Sequence, residues 1–380
     1  MLAILCVVRT AIGFQFQSVA ALGPTLVERY QTDYAGLGTL IGMYMLPGIV
    51  FAIPGGLIGQ RFGDKRVAIL GLALMTVGGA WLGIADGYWS AFFSRLVSGV
   101  GGVVLNVIMA KMVADWFAGR EITVAMAYLL SSWPIGLGLA LVLLGPLAAW
   151  TSITFALSFS GLVSGMALIA TAALYRSPPN AVQAVPSFRI QLSGREWALT
   201  LVAGLIWTLF NVAIIIVVAF GPSLLTAHGY GVAEAGALVS LTTWVLVPAL
   251  PLGGYIAMRI NRPAATTAFC FVGCAVVMSA LPLGLPPALL FASLGLLFGP
   301  PGGLIMKLPA DVLDARNRAA GMGIYFACYY AGMAALTPVA GLLRDTTGSA
   351  SAPLLFGGAV MFAGALTLAL FRALQRSSAT

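Results

Sequence analysis

The sequence predicts an all-α polytopic membrane protein with twelve transmembrane helices in two pseudo-symmetric six-helix halves. Three observations lead there. Of the 380 residues, 60% are hydrophobic and only 8% are charged, where a soluble domain carries roughly 25% charged residues. The apolar residues fall into runs of about 20, each enough to cross a hydrocarbon core of about 30 Å. Blocks of the first half also recur, in order, in the second.

The apolar runs follow one another along the chain. The first, 2–28, contains Arg9, and "SVA" at Ser18–Ala20 loosely resembles a signal-peptide cleavage site. Arg9 within the apolar region, and the continuation through "ALGPTL", favour a retained first span. Runs 34–60 and 67–85 flank a charged turn at Arg61–Arg66, and 88–114, 121–148 and 150–174 complete the first half. The segment "YRSPPNAVQAVPSFRIQLSGRE" (Tyr175–Glu196) reads as a linker from its Pro and Ser content. Beyond it come 197–227, 234–258, 264–281, 286–310, 317–343 and 351–373. Runs of this length must be helices, because an isolated strand in lipid leaves its backbone groups unpaired. The expected organisation is an N-terminal half (1–174), a cytoplasmic linker (175–196) and a C-terminal half (197–380).

The basic residues orient these spans. Arg61, Lys65, Arg66, Arg120, Arg176, Arg189, Arg195, Arg259, Arg262, Arg316, Arg318, Arg372 and Arg376 fall in alternate loops or at the C-terminus, while the opposite loops hold only Arg29 and Arg344. By the positive-inside rule both ends of the chain are cytoplasmic, in what is expected to be a bacterial inner membrane. The net charge of +8 is therefore spent on topology and not on nucleic acid. Cys6, Cys270, Cys274 and Cys328 all lie inside apolar runs, so free thiols are expected and no metal site.

Internal duplication is visible as three matches. "GPTL" (Gly23–Leu26) recurs as "GPSL" (Gly221–Leu224), and "GGLIGQR" (Gly55–Arg61) as "GGYIAMR" (Gly253–Arg259), both at an offset of 198. "KMVADWFAGR" (Lys111–Arg120) recurs as "KLPADVLDAR" (Lys307–Arg316) at an offset of 196. Two parallel repeats enclosing a site near the membrane midplane form a secondary-transporter architecture.

With those repeats in view, "GQRFGDKR" (Gly59–Arg66) resembles the loop between the second and third helices of the major facilitator superfamily. Gly59, Gly63, Asp64, Lys65 and Arg66 match its glycines, acid and basic pair, although here the acid follows the second glycine. "RLVSGVGG" (Arg95–Gly102) is similar to the family's fourth-helix pattern, and "DWFAGRE" (Asp115–Glu121) to its next loop. "GFQFQSVAALGP" (Gly13–Pro24) and "FGDKRV" (Phe62–Val67) look most like the cyanate permease and nitrate/nitrite-porter-like branch. The resemblance implies alternating access around a cavity lined by the first, fourth, seventh and tenth helices. It also implies a latch at Gly59–Arg66 whose charge contacts change between states.

An intramembrane charge asks for a reason, since it costs at least roughly 2.5–3.5 kcal/mol to insert. All eleven acids fall in loops or at helix ends, so no midplane carboxylate serves as a proton site or as a counter-charge for cations. Two arginines lie deeper. Arg95 shares a helix face with Gly99, Gly102 and Asn106, and either contacts substrate or braces the fold. Arg9 either faces the cavity or snorkels to the interface. Lys111 and Lys307 each precede an acid by four residues, Asp115 and Asp311, as gate or anchor pairs. Gln15, Gln17, Trp207, Asn211, Tyr325 and Tyr329 are candidates to orient a small ligand, with helix packing as the alternative. His228 is expected in a wetted loop, and "LFGPPGG" (Leu297–Gly303) is expected to break or kink the tenth helix.

No HExxH, GxSxG or Walker pattern is present, and no acid–base pair lies within a span, so an enzyme is not expected. The expected function is secondary active or facilitative transport of a small, anionic solute. The alternatives are an exporter or permease of neutral or drug-like solutes and, remotely, a non-transporting membrane receptor or enzyme. No cofactor is implied, and the expected partners are the solute and lipid, with the chain acting as a monomer.

Overall fold

A computed structural model describes residues 1–52, 61–117, 122–177, 192–309, 311–314 and 317–376. Among them, twelve helices are long and apolar enough to cross a membrane. They are α1 (Leu2–Ala21), α2 (Tyr34–Phe51), α3 (Asp64–Ile84), α4 (Tyr88–Trp116), α5 (Val124–Trp150), α6 (Ile153–Leu174), α7 (Gly194–Ala227), α8 (Val232–Ala257), α9 (Pro263–Leu283), α10 (Pro287–Lys307), α11 (Ala320–Thr347) and α12 (Ala352–Arg376). An even number of spans places both ends of the chain on one face, the end-bearing face. This is a polytopic all-α membrane protein. Two of the sequence's segments run well past the described helices, 2–28 beyond α1 and 34–60 beyond α2, and residues 53–60 lie outside the described residues.

Local sequence explains where these helices start. Asp33 caps α2 by accepting from the Gly36 amide at 2.7 Å, and Ser152 caps α6 through the Phe155 amide at 3.1 Å. Ser193 and Glu196 form a capping box at the start of α7. Gly63, immediately before α3, has φ of 85°, a left-handed conformation that glycine adopts without a Cβ clash.

Two local expectations are revised. The first apolar run is not one continuous helix: α1 ends at Ala21, and after Leu22 a short helix, Gly23–Arg29, restarts with Pro24 in its first turn. Conversely, of the break or kink expected in α10, the break does not occur: the helix continues through Pro300 and Pro301. The glycine-rich neighbourhood makes room for the rings, since a Cβ at Gly253 would strike Pro300 and one at Gly299 would strike Ala249. The clear helix interruption falls instead in α2, where a turn over residues 44–47 separates Tyr34–Met43 from Gly48–Phe51.

The packing repeats between the halves. In the first, α1 packs on α5 and α6, and α3 on α4 and α6. In the second, α7 packs on α11 and α12, and α9 on α10 and α12, the same contacts six helices later. The halves meet mainly along two seams, α2 with α11 and α5 with α8. Exposed apolar side chains on α3, α6 and α9, such as Leu70, Val77, Leu162, Ile169, Phe269 and Val276, form the face that lipid covers. The spans α1, α4 and α7 are the most deeply buried.

Candidate functional site

Between the halves lies a cavity of about 430 Å³ with walls from α1, α2, α4, α5, α7, α8, α10 and α11. Most of the lining is apolar, including Ile12, Met45, Met126, Leu129, Phe210, Ile214, Leu246 and Met306. The polar lining is sparse: Arg9, Asn106, Asn211, the indoles of Trp133 and Trp207, and the phenols of Tyr44, Tyr329 and Tyr330. Arg9 is the one charged side chain among these lining residues, and no acid faces it there. This size and composition suit a drug-sized or smaller organic molecule, held by apolar surface and oriented by a few polar groups.

Arg9 donates from Nη1 to Asn106 Oδ1 at 2.7 Å, and Asn106 Nδ2 donates to the Tyr330 hydroxyl at 3.0 Å. The chain of bonds runs from α1 through α4 to α11 and so crosses between the halves. Arg9 Nε is buried with no hydrogen-bond partner among the described residues. On the other wall, Trp207 stacks on Tyr325 with ring centroids 6.0 Å apart. Phe210 and Tyr329 flank the same indole at 5.8 and 6.2 Å. Asn211 Nδ2 donates to the Trp207 carbonyl at 2.8 Å, while Trp207 Nε1 is buried and unpartnered.

Arg95 is placed elsewhere. It is 0% exposed, and its guanidinium donates to the carbonyls of Leu40 (3.0 Å), Gln15 (2.8 Å) and Phe16 (2.9 Å). It also lies over the Tyr44 ring at 4.6 Å. Gly99 and Gly102, on the same face of α4, let Tyr44 approach: a Cβ at either would collide with that residue. Arg95 thus binds α4 to α1 and α2 and does not line the cavity. Gln17 is likewise fully buried outside the lining, donating to the Val218 carbonyl at 2.7 Å and joining α1 to α7. Gln15 donates to the Met75 carbonyl at 2.7 Å. Tyr325 lies behind Trp207, its hydroxyl 3.4 Å from the Ile305 carbonyl. Tyr330 was not singled out by sequence reasoning; its adjacency to Tyr329 was the one available signal.

The charged turn is organised around α4. Lys111 Nζ lies 2.6 Å from Asp64 Oδ2 and 2.7 Å from Asp115 Oδ2. Asp64, despite its shifted place in the motif, therefore reaches the neighbouring helix. Lys65 donates to the Tyr175 carbonyl at 2.8 Å; burial pushes the Tyr175 hydroxyl itself up to about 12. Arg66 is exposed, and Gly59 lies outside the described residues. In the second half Lys307 is 73% exposed and only 3.9 Å from Asp311. There Glu196 ties the start of α7 to the residues before α11, accepting from Asn317 Nδ2 at 3.0 Å and from the Asp314 amide at 3.1 Å.

Contacts between the halves gather on the face opposite the chain ends. Asp345, in the last turn of α11, accepts from the amides of Tyr34 (3.0 Å) and Ala35 (2.7 Å) at the start of α2. Arg344 covers the Tyr34 ring at 3.6 Å. A Cβ at Gly38 would strike the Thr337 backbone, and one at Gly236 the Leu141 carbonyl, so both seams close backbone to backbone. Among the described residues, no hydrogen bond or ion pair joins the halves nearer the end-bearing face than Asn106 to Tyr330.

The comparisons with known proteins agree with this architecture. The chain is 32% identical over 135 residues to the inner membrane transport protein YajR of Escherichia coli, covering 36% of this chain and 28% of that one. It is 26% identical over 261 residues to the uncharacterized transporter YycB of Bacillus subtilis, covering 64% of this chain and 61% of the relative. The matches thus span less than two thirds of each relative's length. The crystal structure of a D-xylose–proton symporter shares the fold, with a TM-score of 0.75 at 12% identity over 97% of this chain and 96% of that one. The family model for the Major Facilitator Superfamily matches residues 5–337. With twelve spans, repeated halves and a cavity between them, the chain belongs to the Major Facilitator Superfamily.

Proposed function

We propose that this transporter carries a small organic anion by alternating access, with Arg9 as the cation that receives it. The observation that carries this reading is Arg9 as the one charge among the cavity's lining residues, half-buried, with a buried, unpartnered Nε and no acid beside it among them. A buried cation without a counter-ion is costly, and an incoming carboxylate or similar group relieves that cost with charge-assisted hydrogen bonds. Asn106 and Tyr330 hold the guanidinium in place, and the apolar walls select a solute with an apolar body. Arg95 then serves as a brace and not as a ligand contact.

In this reading the halves 1–174 and 197–380 rock about the bound solute, joined by the linker 175–196. The state described is closed on the face opposite the chain ends. The Asp64–Lys111–Asp115 cluster, with Gly63, Lys65 and Arg66 beside it and the Lys307–Asp311 pair in the other half, makes up the gating set. The asymmetry of basic loops supports cytoplasmic chain ends in a bacterial inner membrane, with the transporter acting as a monomer.

Thermal stabilisation of the purified protein by matched panels of small anions, neutral solutes and organic cations tests the reading. A ligand at a hundred times its dissociation constant stabilises by about 2.7 kcal/mol. Stabilisation by one anion class, lost in Arg9→Gln, is the expected result. A second reading, export of neutral or drug-like solutes, is favoured by the adaptable methionines Met45, Met126 and Met306 in the wall. Stabilisation by neutral or cationic compounds alone, unchanged in Arg9→Gln, would establish it instead.

A further inference from the structure

The internal repeat explains an oddity of the cavity. At the offset of 198 that aligns Gly23–Leu26 with Gly221–Leu224, Arg9 of α1 corresponds to Trp207 of α7. The helix ends agree with this register, because the short helix after α1 ends at Arg29 and α7 ends at Ala227. At the offset of 196 that aligns Lys111–Arg120 with Lys307–Arg316, Asn106 of α4 corresponds to Gly302 of α10. All four residues line the cavity.

The two halves therefore present the same two positions with different chemistry. In the first, an N–H of the side chain on α1 finds its acceptor in Asn106 Oδ1 at 2.7 Å. In the second, the side chain on α7 also carries an N–H, but the position that would supply the oxygen holds glycine. Trp207 Nε1 is accordingly buried without a partner. Buried donors are rarely left unsatisfied, and an indole N–H normally finds an acceptor. The indole is well fixed by its stack on Tyr325 and by Phe210 and Tyr329. Gly302 offers no polar group of its own side chain to the cavity, and a Cβ there would meet the tip of the Leu250 side chain.

We propose that the solute supplies the missing acceptor: it is a monoanion whose charged group is held at Arg9 and Asn106 and whose body carries an uncharged oxygen that accepts from Trp207 Nε1. Keto, hydroxyl and ether oxygens all qualify. A second carboxylate does not, because no second cation lines the cavity to receive it. This inference rests on the anion reading above and narrows it to bifunctional organic acids.

The test pairs each unbranched monocarboxylate from butanoate to octanoate with its oxo-substituted counterpart of the same length. Binding to the purified transporter is measured by calorimetry or thermal shift. The oxo acid of at least one pair is expected to bind about tenfold more tightly, the net worth of one hydrogen bond. In Trp207→Phe, which keeps the aromatic stack, the ratio should fall to about one. In Gly302→Asn, which offers Trp207 an internal oxygen, the ratio should fall as well. A ratio near one in the unaltered protein, meaning that water satisfies Trp207, overturns the proposal, as does a ratio kept in Trp207→Phe. Those results leave the anion reading standing if the plain acids bind and Arg9→Gln abolishes that binding. No binding by any acid overturns both.

Discussion

Two arginines lie inside the spans of this membrane protein, and their hydrogen bonds separate them. Arg95 gives its donors to three backbone carbonyls, those of Leu40, Gln15 and Phe16. Arg9 gives one bond to Asn106 and keeps Nε unpartnered at the cavity wall. Replacing Arg95 orphans acceptors in a place without water, which costs about 1–3 kcal/mol for each group left unsatisfied. Arg95→Gln is therefore expected to destabilise the protein by about 2–4 kcal/mol in denaturant titrations in detergent, equally with and without a bound anion. A loss that appears only with ligand present would return Arg95 to the cavity. The sequence shows that both residues lie inside spans, and that Arg95 shares a face with Gly99, Gly102 and Asn106. It does not show which carbonyls lie opposite that face, because they belong to α1 and to the first segment of α2, far away in sequence. The same limit applies to Gln17, whose partner is the carbonyl of Val218.

At the scale of elements, legibility was greater. Apolar run length is dictated by bilayer thickness, so ten of the twelve spans follow from composition within a few residues, while the run 2–28 takes in the separate short helix Gly23–Arg29 beyond α1. The run 34–60 extends beyond Phe51, the end of α2, into residues 53–60, which lie outside those described. Proline was the weaker guide. Pro300 and Pro301 remain inside α10, where glycines on either side accommodate them, whereas Pro47 falls in the turn that interrupts α2. The seams between α2 and α11 and between α5 and α8 were not visible in advance, since their glycines matter only once paired with a particular backbone. A side chain at Gly38 meets the Thr337 and Pro338 backbone, which cannot rotate away. Gly38→Val is thus expected to part the halves on that face. Spin labels at Thr32→Cys and Thr346→Cys, with Cys6, Cys270, Cys274 and Cys328 replaced by alanine, should report a longer distance in the Gly38→Val protein. An unchanged distance would show that the seam yields elsewhere.

Across the whole molecule the repeat is faithful in packing but not in charge. Lys111 of the first half meets both Asp64 and Asp115, whereas its counterpart Lys307 is exposed and loosely paired. At the offset of 198 the position of Asp64 is occupied by Arg262, so the second half has no acid there to complete the cluster. Its α7 is instead held by Glu196 to Asn317 and the Asp314 amide. The cavity carries the same asymmetry, one cation on the wall of the first half and none on the second. That imbalance has an electrical consequence. A carrier loaded with a monoanion is neutral at Arg9 as it reorients, whereas the empty carrier moves a positive charge through the field. That movement is worth up to about 2.3 kcal/mol per 100 mV if the charge crosses all of it. During net uptake the empty carrier must bring its charge back outward, which an interior-negative voltage opposes. In proteoliposomes, such a voltage should slow net uptake and leave one-for-one exchange of the anion unchanged, because exchange never passes through the empty state. Equal slowing of both would mean that the loaded carrier also bears charge. An uncompensated arginine would thus make this protein a rectifier for anions, with the membrane voltage acting on the step in which nothing is carried.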